Sequence, residues 1–266
     1  MEKAIIPYLG NKREHIPFIR KHLPPHWDKN ESRYIEPFLG SGIVFRCIEP
    51  RRAVLNDRSK FVMGIFTALK KGCPRFTARL SELYSQNSSE TYEHCKRTIL
   101  KLNEDDPQAA AMYAYMQRTS LYSFTCPRSD LSSFRGTYRV KDEGRPLDLA
   151  SDVWKDMAAC LQGDVTLMAE DFAEPMRKGT RGDFLFIDPP YINTGTKVYN
   201  RFTKGDSKRL LEEIQSAHQR GCYIMLFKHA NDDVFKDLGF NETPVCIPKP
   251  TNAFRNYREV MYTNYS

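Results

Sequence analysis

Phe184-Leu185-Phe186-Ile187 runs without a break into Asp188-Pro189-Pro190-Tyr191. The first four residues are apolar and rich in aromatic and β-branched side chains, which suits a buried strand. Two prolines directly behind them forbid its continuation, because neither donates a backbone N–H and both fix φ. The strand therefore stops at Asp188, whose carboxylate sits on rigid backbone. Further strands are predicted at 34–36, 53–55, 165–168, 222–227, 242–247 and 259–262. Helical spacing of apolar residues falls between them at 61–69, 206–219 and 232–238, and residues 43–45 read as the start of another helix. Alternating strands and helices predict an α/β fold, a largely parallel sheet with helices on both faces. In such open sheets ligands bind beyond the carboxyl ends of the strands. The loop 36–42, Asp57 and the stretch 188–191 all fall at such ends and are expected to converge.

The stretch between the second and third strands is too long for a crossover. Residues 74–121 read as two or three helices, the last over 109–122. Residues 123–145 read as an exposed loop or hairpin, and 146–162 return to a weak helical pattern. An inserted, mostly helical subdomain over 73–162 is expected, with 1–72 and 163–266 forming the α/β domain. Residues 1–30 are polar and Pro-containing and carry no assigned element.

Composition sets outer limits. The 266 residues are 41% hydrophobic, enough for a buried core, and carry 40 Lys+Arg against 33 Asp+Glu, a net charge of +7. No apolar run approaches the ~20 residues that span a bilayer, and 1–10 lack a signal-peptide pattern. Seven cysteines stand at wide spacing with no Cys-x-x-Cys pair, which suits reduced thiols and an intracellular protein. His15, His22 and His26 have no Cys nearby, so they read as surface or nucleic-acid-facing residues, and no metal site is expected. The positive excess is compatible with a polyanionic partner.

Three segments carry chemistry. In Glu36-Pro37-Phe38-Leu39-Gly40-Ser41-Gly42 the Gly-x-Gly turn permits close backbone approach to a bulky ligand. Phe45 takes the third glycine's place of a dinucleotide fingerprint, and no following basic residue holds a phosphate. An acid ahead of the turn suits a cofactor with a cationic amine; the alternative is a plain tight turn. Asp57 stands where ribose hydroxyls are accepted in nucleoside-binding folds, or else caps the next helix. Asp188, the neighbouring carbonyls and the Tyr191 ring suit a planar substrate with an exocyclic amine, stacked on the ring and hydrogen-bonded through its amine protons.

Asp-Pro-Pro-Tyr after a strand, with Glu-Pro-Phe-x-Gly-Ser-Gly upstream and Tyr8-Leu9-Gly10-Asn11-Lys12 near the start, resembles the Dam-like DNA adenine-N6 methyltransferases (D12 class, alpha group). The matching segments are scattered from residue 5 to residue 262. The resemblance implies a Rossmann-like methyltransferase fold with a mixed seven-stranded sheet, and implies that 73–162 recognises the DNA target. It implies S-adenosyl-L-methionine as cofactor, contacted by Tyr8 and Lys12. Glu36, Phe38, Gly40 and Gly42 would shape its amino-acid pocket, Asp57 would bind its ribose, and Asp171 and Phe172 would flank its adenine. Asp188, Pro189, Pro190 and Tyr191 would be catalytic, holding a flipped target adenine for direct transfer, with Asp188 also bordering the cofactor. The family commonly has two glycines before the lysine of its first motif, whereas here Gly10 is followed by Asn11.

Double-stranded DNA is the expected partner of a monomer or weak dimer. Arg118, Arg128, Arg135 and Arg139 are interleaved with Tyr122 and Tyr138, a pattern suited to phosphate clamping, guanine reading and wedging into an opened base stack. Lys197 and Arg201 lead a second basic cluster that includes Lys204, Lys208 and Arg209. Two other readings share these features: an rRNA amino-methyltransferase, and an inactive methyltransferase-fold protein that only binds nucleic acid. If the basic clusters meet DNA, affinity falls linearly on a log–log plot against salt, with a slope of about −0.9 per phosphate contacted. A titration between 50 and 200 mM salt, or roughly that range, that shows a flat response would remove the clusters from the interface.

Overall fold

The computed structural model describes residues 3–8, 10–121, 125–127, 134–140, 152–191, 202–230, 232–245 and 259–266. Its strands are β1 (Tyr34–Glu36), β2 (Arg52–Asn56), β3 (Cys126–Pro127), β4 (Phe134–Arg135), β5 (Asp164–Met168), β6 (Phe184–Ile187), β7 (Tyr223–His229), β8 (Asn241–Val245) and β9 (Glu259–Thr263). Seven of them form one mixed sheet in the order β5-β2-β1-β6-β7-β9-β8. The row from β5 to β7 is parallel, while β9 runs antiparallel to both β7 and β8. β1, β6 and β9 are buried at every position, as expected for strands covered on both faces. β8 is the sheet's edge and carries Pro244, which an inner strand would not tolerate.

The chain divides into two compact units. The sheet unit comprises Glu14–Leu39, Ile48–Arg58 and Asp164–Ser266. It contains the whole seven-stranded sheet with α1 (Ile16–Lys21), α8 (Ala173–Arg177) and α9 (Lys204–Gln219). On α9, Leu210, Ile214 and Ala217 are buried with Leu185, Ile187, Ile224 and Leu226 of the sheet. This helix starts two residues ahead of the sequence expectation because Thr203 and Asp206 form a reciprocal capping box. α1 lies in a stretch to which the sequence assigned no element.

The helical unit comprises Met1–Arg13, Gly40–Cys47 and Ser59–Gly163. It contains most of α2 (Ile43–Ile48), then α3 (Lys60–Lys70), α4 (Pro74–Ser85), α5 (Ser89–Thr98), α6 (Pro107–Thr119), α7 (Asp152–Cys160) and the β3–β4 ribbon. The stretch expected as an insertion lies wholly inside it. α6 is buried all round from Ala109 to Gln117, the mark of a central helix. Its small alanines allow close approach, as where Ala110 Cβ would stand 3.2 Å from a Cβ at Gly64. Asp106 caps it and Pro107 opens it, so it begins earlier than the 109–122 expectation, and Ser120 already bridges to Tyr138.

One clamp fixes the amino ends of β1 and β6. Arg33 donates from Nε and Nη2 to Asp183 Oδ2 at 3.1 and 2.7 Å, and its backbone N–H donates to Oδ1 at 3.0 Å. Phe184 N–H donates back to the Arg33 carbonyl at 2.9 Å. Burial pushes the Asp183 carboxyl upward, but the bonds from Arg33 and Thr180 outweigh it and hold it below the usual carboxylate range. A folded-state pKa below the unfolded one stabilises at neutral pH and is lost as pH falls through the folded value. Asp183→Asn is therefore expected to lower stability at pH 7 by about 2–3 kcal/mol. In urea denaturation its deficit against the native chain should narrow below about pH 4; a deficit independent of pH would refute the ionic account.

Candidate active site

Neighbouring parallel strands β5, β2, β1 and β6 end along one sheet edge, about three strand spacings or ~14 Å wide. The acids expected to converge stand there: Glu36 at the end of β1, Asp57 after β2, Asp171 after β5 and Asp188 after β6. Alternation along β1 puts Tyr34 and Glu36 on one face. The buried Glu36 carboxylate accepts from the Tyr34 hydroxyl at 2.8 Å. Asp57 is half-buried, and its N–H donates to the Met168 carbonyl at 3.4 Å. The cap of α3 is the Ser59 hydroxyl, bonded to Val62 N–H, so Asp57 does not have that role.

Asn56, which sequence reading passed over as a strand end, organises this edge. Its buried side chain donates to the Pro37 and Glu170 carbonyls at 2.9 and 3.1 Å and accepts from Glu170 N–H at 2.9 Å. The available signal was a polar amide closing a buried strand. Beside it, the rings of Phe38 and Phe172 stack with centroids 5.5 Å apart, and Phe202 packs within 6.0 Å of each. Asp171 Oδ1 accepts from Ala173 N–H at 3.1 Å and pairs with Arg209 at 2.7 Å. The Arg209 guanidinium lies 4.9 Å over the Phe172 ring. Arg209, expected in the second basic cluster, is thus committed to Asp171 and to Asp206 at 3.2 Å, while Lys204 and Lys208 are exposed.

Asp188 and Tyr191 are half-buried at the end of β6, with Pro189 buried between them. The Tyr191 hydroxyl lies 3.3 Å from Asp188 Oδ1 and 3.1 Å from Oε1 of Glu259, the first residue of β9. The other oxygen of Glu259 is bonded to Nε2 of His15. His15 is therefore a buried partner of this region, not the surface or nucleic-acid-facing residue expected; His22 Nδ1 donates locally to the Phe18 carbonyl at 2.8 Å. Lys228, on β7, was also missed, although a lysine inside an apolar strand is a visible anomaly. It is fully buried, pairs with Asp232 at 2.8 Å and faces the rings of Phe235, Phe202 and Tyr191 at 4.7, 5.6 and 6.0 Å. Burial pushes its ammonium pKa down, against the pull of Asp232 and Asp188.

The remaining cofactor candidates lie in the helical unit. Asn11 N–H and its side-chain Nδ2 both donate to the Tyr8 carbonyl, at 3.2 and 2.9 Å, closing a turn with Gly10 at φ +80°. Asn11 thus latches the turn with its side chain. Lys12 is buried, its ammonium 3.5 Å from the Gly10 carbonyl. Gly40 has φ +51°, and a Cβ there would stand 3.0 Å from the Tyr8 ring; Gly42 has φ +66°, and a Cβ would meet the Phe66 ring at 2.8 Å.

Of the DNA candidates, Arg118 and Arg135 are exposed. Tyr138 is buried, donates to Asn87 at 3.0 Å and packs on Tyr92, so it is a core residue and not a wedge. The Arg139 guanidinium donates to the Arg118 carbonyl at 2.9 Å, tying the ribbon to α6. Tyr122, Arg128, Lys197 and Arg201 lie outside the described residues.

A five-stranded parallel row closed by an antiparallel β9–β8 pair, with carboxylates along its carboxyl edge, is the architecture of the Rossmann-like methyltransferases. Comparison with known families agrees over most of the chain, matching residues 8–242. The chain belongs to the D12 class N6 adenine-specific DNA methyltransferase family. It is 23% identical to the type II methyltransferase M1.LlaDCHI of Lactococcus lactis subsp. cremoris, covering 97% of this chain and 94% of that protein. It is 24% identical to the type II methyltransferase M.MjaIII of Methanocaldococcus jannaschii, covering 99% of each. It is 22% identical to the DNA adenine methylase of Escherichia coli K12, covering 85% of this chain and 81% of that one.

The glycines give a matched test. Gly42→Ala combines left-handed strain with a clash against Phe66 and is expected to destabilise by about 2–4 kcal/mol. Gly10→Ala meets nothing within 4 Å and should lose only about 1–2 kcal/mol. Equal denaturation midpoints for the two variants would contradict the close-approach account of Gly42.

Proposed function

We propose that this chain transfers a methyl group from S-adenosyl-L-methionine to the N6 amine of adenine in double-stranded DNA, acting as an intracellular monomer or weak dimer. The reading is carried by one observation: Asp188 stands on proline-fixed backbone at the end of a buried central strand, on the sheet edge that also holds Glu36, Asp57 and Asp171. The donor set fits the cofactor. Glu36 offers a buried carboxylate for an ammonium group, and Asp57 offers hydroxyl acceptors. Phe38 and Phe172 offer apolar walls; Tyr8, Lys12, Gly40 and Gly42, which the sequence motifs assign to the same cofactor, belong to the helical unit. When bound, that cofactor supplies an electrophilic methyl on a sulfonium.

The protein's part in the reaction is electrostatic and positional. The Asp188 carboxylate and the Pro189 carbonyl accept the two amine protons of an extruded adenine. These bonds draw the nitrogen lone pair out of ring conjugation and turn it outward. Tyr191 stacks on the base and replaces part of the stacking lost on flipping. No side chain needs to form a covalent bond with the base. Arg118 and Arg135 supply backbone contacts from the helical unit, which includes the proposed recognition insertion 73–162, and Lys197, Arg201, Lys204 and Lys208 supply others.

Labelled-methyl transfer to genomic DNA, followed by sequencing at modified adenines, tests the assignment and maps the recognition site. Methyl incorporation into rRNA with none in DNA would overturn it. Asp188→Ala should keep its fold and lose transfer by at least about 100-fold; retained activity would remove that carboxylate from the mechanism.

A further inference from the structure

Tyr191 carries one hydroxyl proton and stands between two carboxylates, Asp188 Oδ1 at 3.3 Å and Glu259 Oε1 at 3.1 Å. A hydroxyl has one proton to donate, so the two acids compete for it. The arrangement favours Glu259. It is the nearer acceptor, it is 8% exposed, and it begins β9, where pairing with β7 and β8 holds its backbone. Its other oxygen is bonded to His15 Nε2. The opposite ring nitrogen, Nδ1, is buried with no hydrogen-bond partner among the described residues, so Nε2 is the nitrogen placed to donate, and Glu259 accepts from both sides. His15 is itself fixed edge-on against Phe227 at 5.9 Å. Among the described residues, the Lys228–Asp232 pair also stands here, with the Lys228 ammonium 6.0 Å from the Tyr191 ring and electrostatically coupled to Asp188.

We infer that Glu259, oriented by His15, is a positioning residue that draws the Tyr191 hydroxyl proton away from Asp188, so that the catalytic carboxylate meets the target amine as an acceptor. If the proton resided on the Asp188 side, the hydroxyl would occupy an acceptor position that the substrate amine requires, and that bond would have to break before the base could seat. The inference rests on the reading of Asp188 as the amine's acceptor. It adds two residues distant in sequence from the catalytic motif.

The test is a double-variant cycle on the full chain, with DNA bearing the mapped site. Glu259→Gln is nearly isosteric, but a neutral amide is a weaker acceptor than a carboxylate, so the hydroxyl proton shifts to Asp188. Its kcat is expected to fall about tenfold with KM for DNA little changed. Tyr191→Phe keeps the stacking ring and removes the competing proton, so in that background the further change Glu259→Gln should lower kcat by less than about threefold, against about tenfold in the native chain. The double variant Glu259→Gln/Tyr191→Phe should then recover toward the Tyr191→Phe level. Without added cofactor, 2-aminopurine at the target position should show less extruded base in Glu259→Gln and recovery in the double variant. Glu259→Ala should show the same signs, and thermal midpoints identify any variant that has lost its fold, in which case the glutamine series decides. Native kcat in Glu259→Gln, or an equal loss on Glu259→Gln in the native and Tyr191→Phe backgrounds, would overturn the inference, since a merely structural glutamate shows no such coupling. An active Asp188→Ala would instead overturn the functional reading beneath it.

Discussion

Asn56 closes β2 with a buried side chain that bonds to two neighbouring loops at once, the Pro37 carbonyl on one side and both backbone groups of Glu170 on the other. Its own carbonyl accepts from Leu39 N–H at 2.8 Å. Buried amides that lose a partner are costly, so the loops after β1 and β5 are held to β2 by a constraint that neither can relax alone. Glu36, Phe38, Asp171 and Phe172 all sit within a few residues of those bonds. The carboxyl edge of the sheet is therefore set by backbone geometry before any ligand arrives, which is the preorganisation that electrostatic catalysis needs.

Much of the sheet was legible because its strands are short, apolar and sharply ended. β1 and β6 fall at the expected residues, and the stop after β6 is dictated by two prolines. The helical elements were legible as types but less so at their ends, since caps such as Thr203 and Asp106 act one to three residues outside the apolar pattern. α1 escaped notice because its six residues include Pro17 and only two buried isoleucines, too few for a period to show. Within the site, acids adjacent to strand ends were readable, whereas long-range partners were not. His15 meets a residue 244 positions later, and Tyr138 meets Asn87, 51 positions earlier. An aromatic among arginines has the same local pattern whether it faces DNA or a polar core partner.

Charge is distributed by the same logic. The net +7 conceals acids gathered on one sheet edge and lysines or arginines exposed elsewhere, at Arg118, Arg135, Lys204 and Lys208. Not every basic residue near the site belongs to that surround. Arg209 is neutralised by Asp171 and Asp206, and Lys228 by Asp232. Sequence proximity to the catalytic motif therefore overstates the cationic surface available to a polyanion.

β9 is the last strand of the sheet to be synthesised, yet it occupies an inner place between β7 and β8. Until it arrives, β7 presents a seven-residue edge whose middle five residues are buried in the finished fold. An open apolar edge is a template for pairing with other chains. The interval between His229 and Glu259 leaving the ribosome is about 2–6 s at about 5–20 residues per second. During those seconds the nascent chain carries its Asp-Pro-Pro-Tyr segment without the glutamate that braces it, and it is also most prone to aggregate. Solubility in cells is thus tied to this late insertion event.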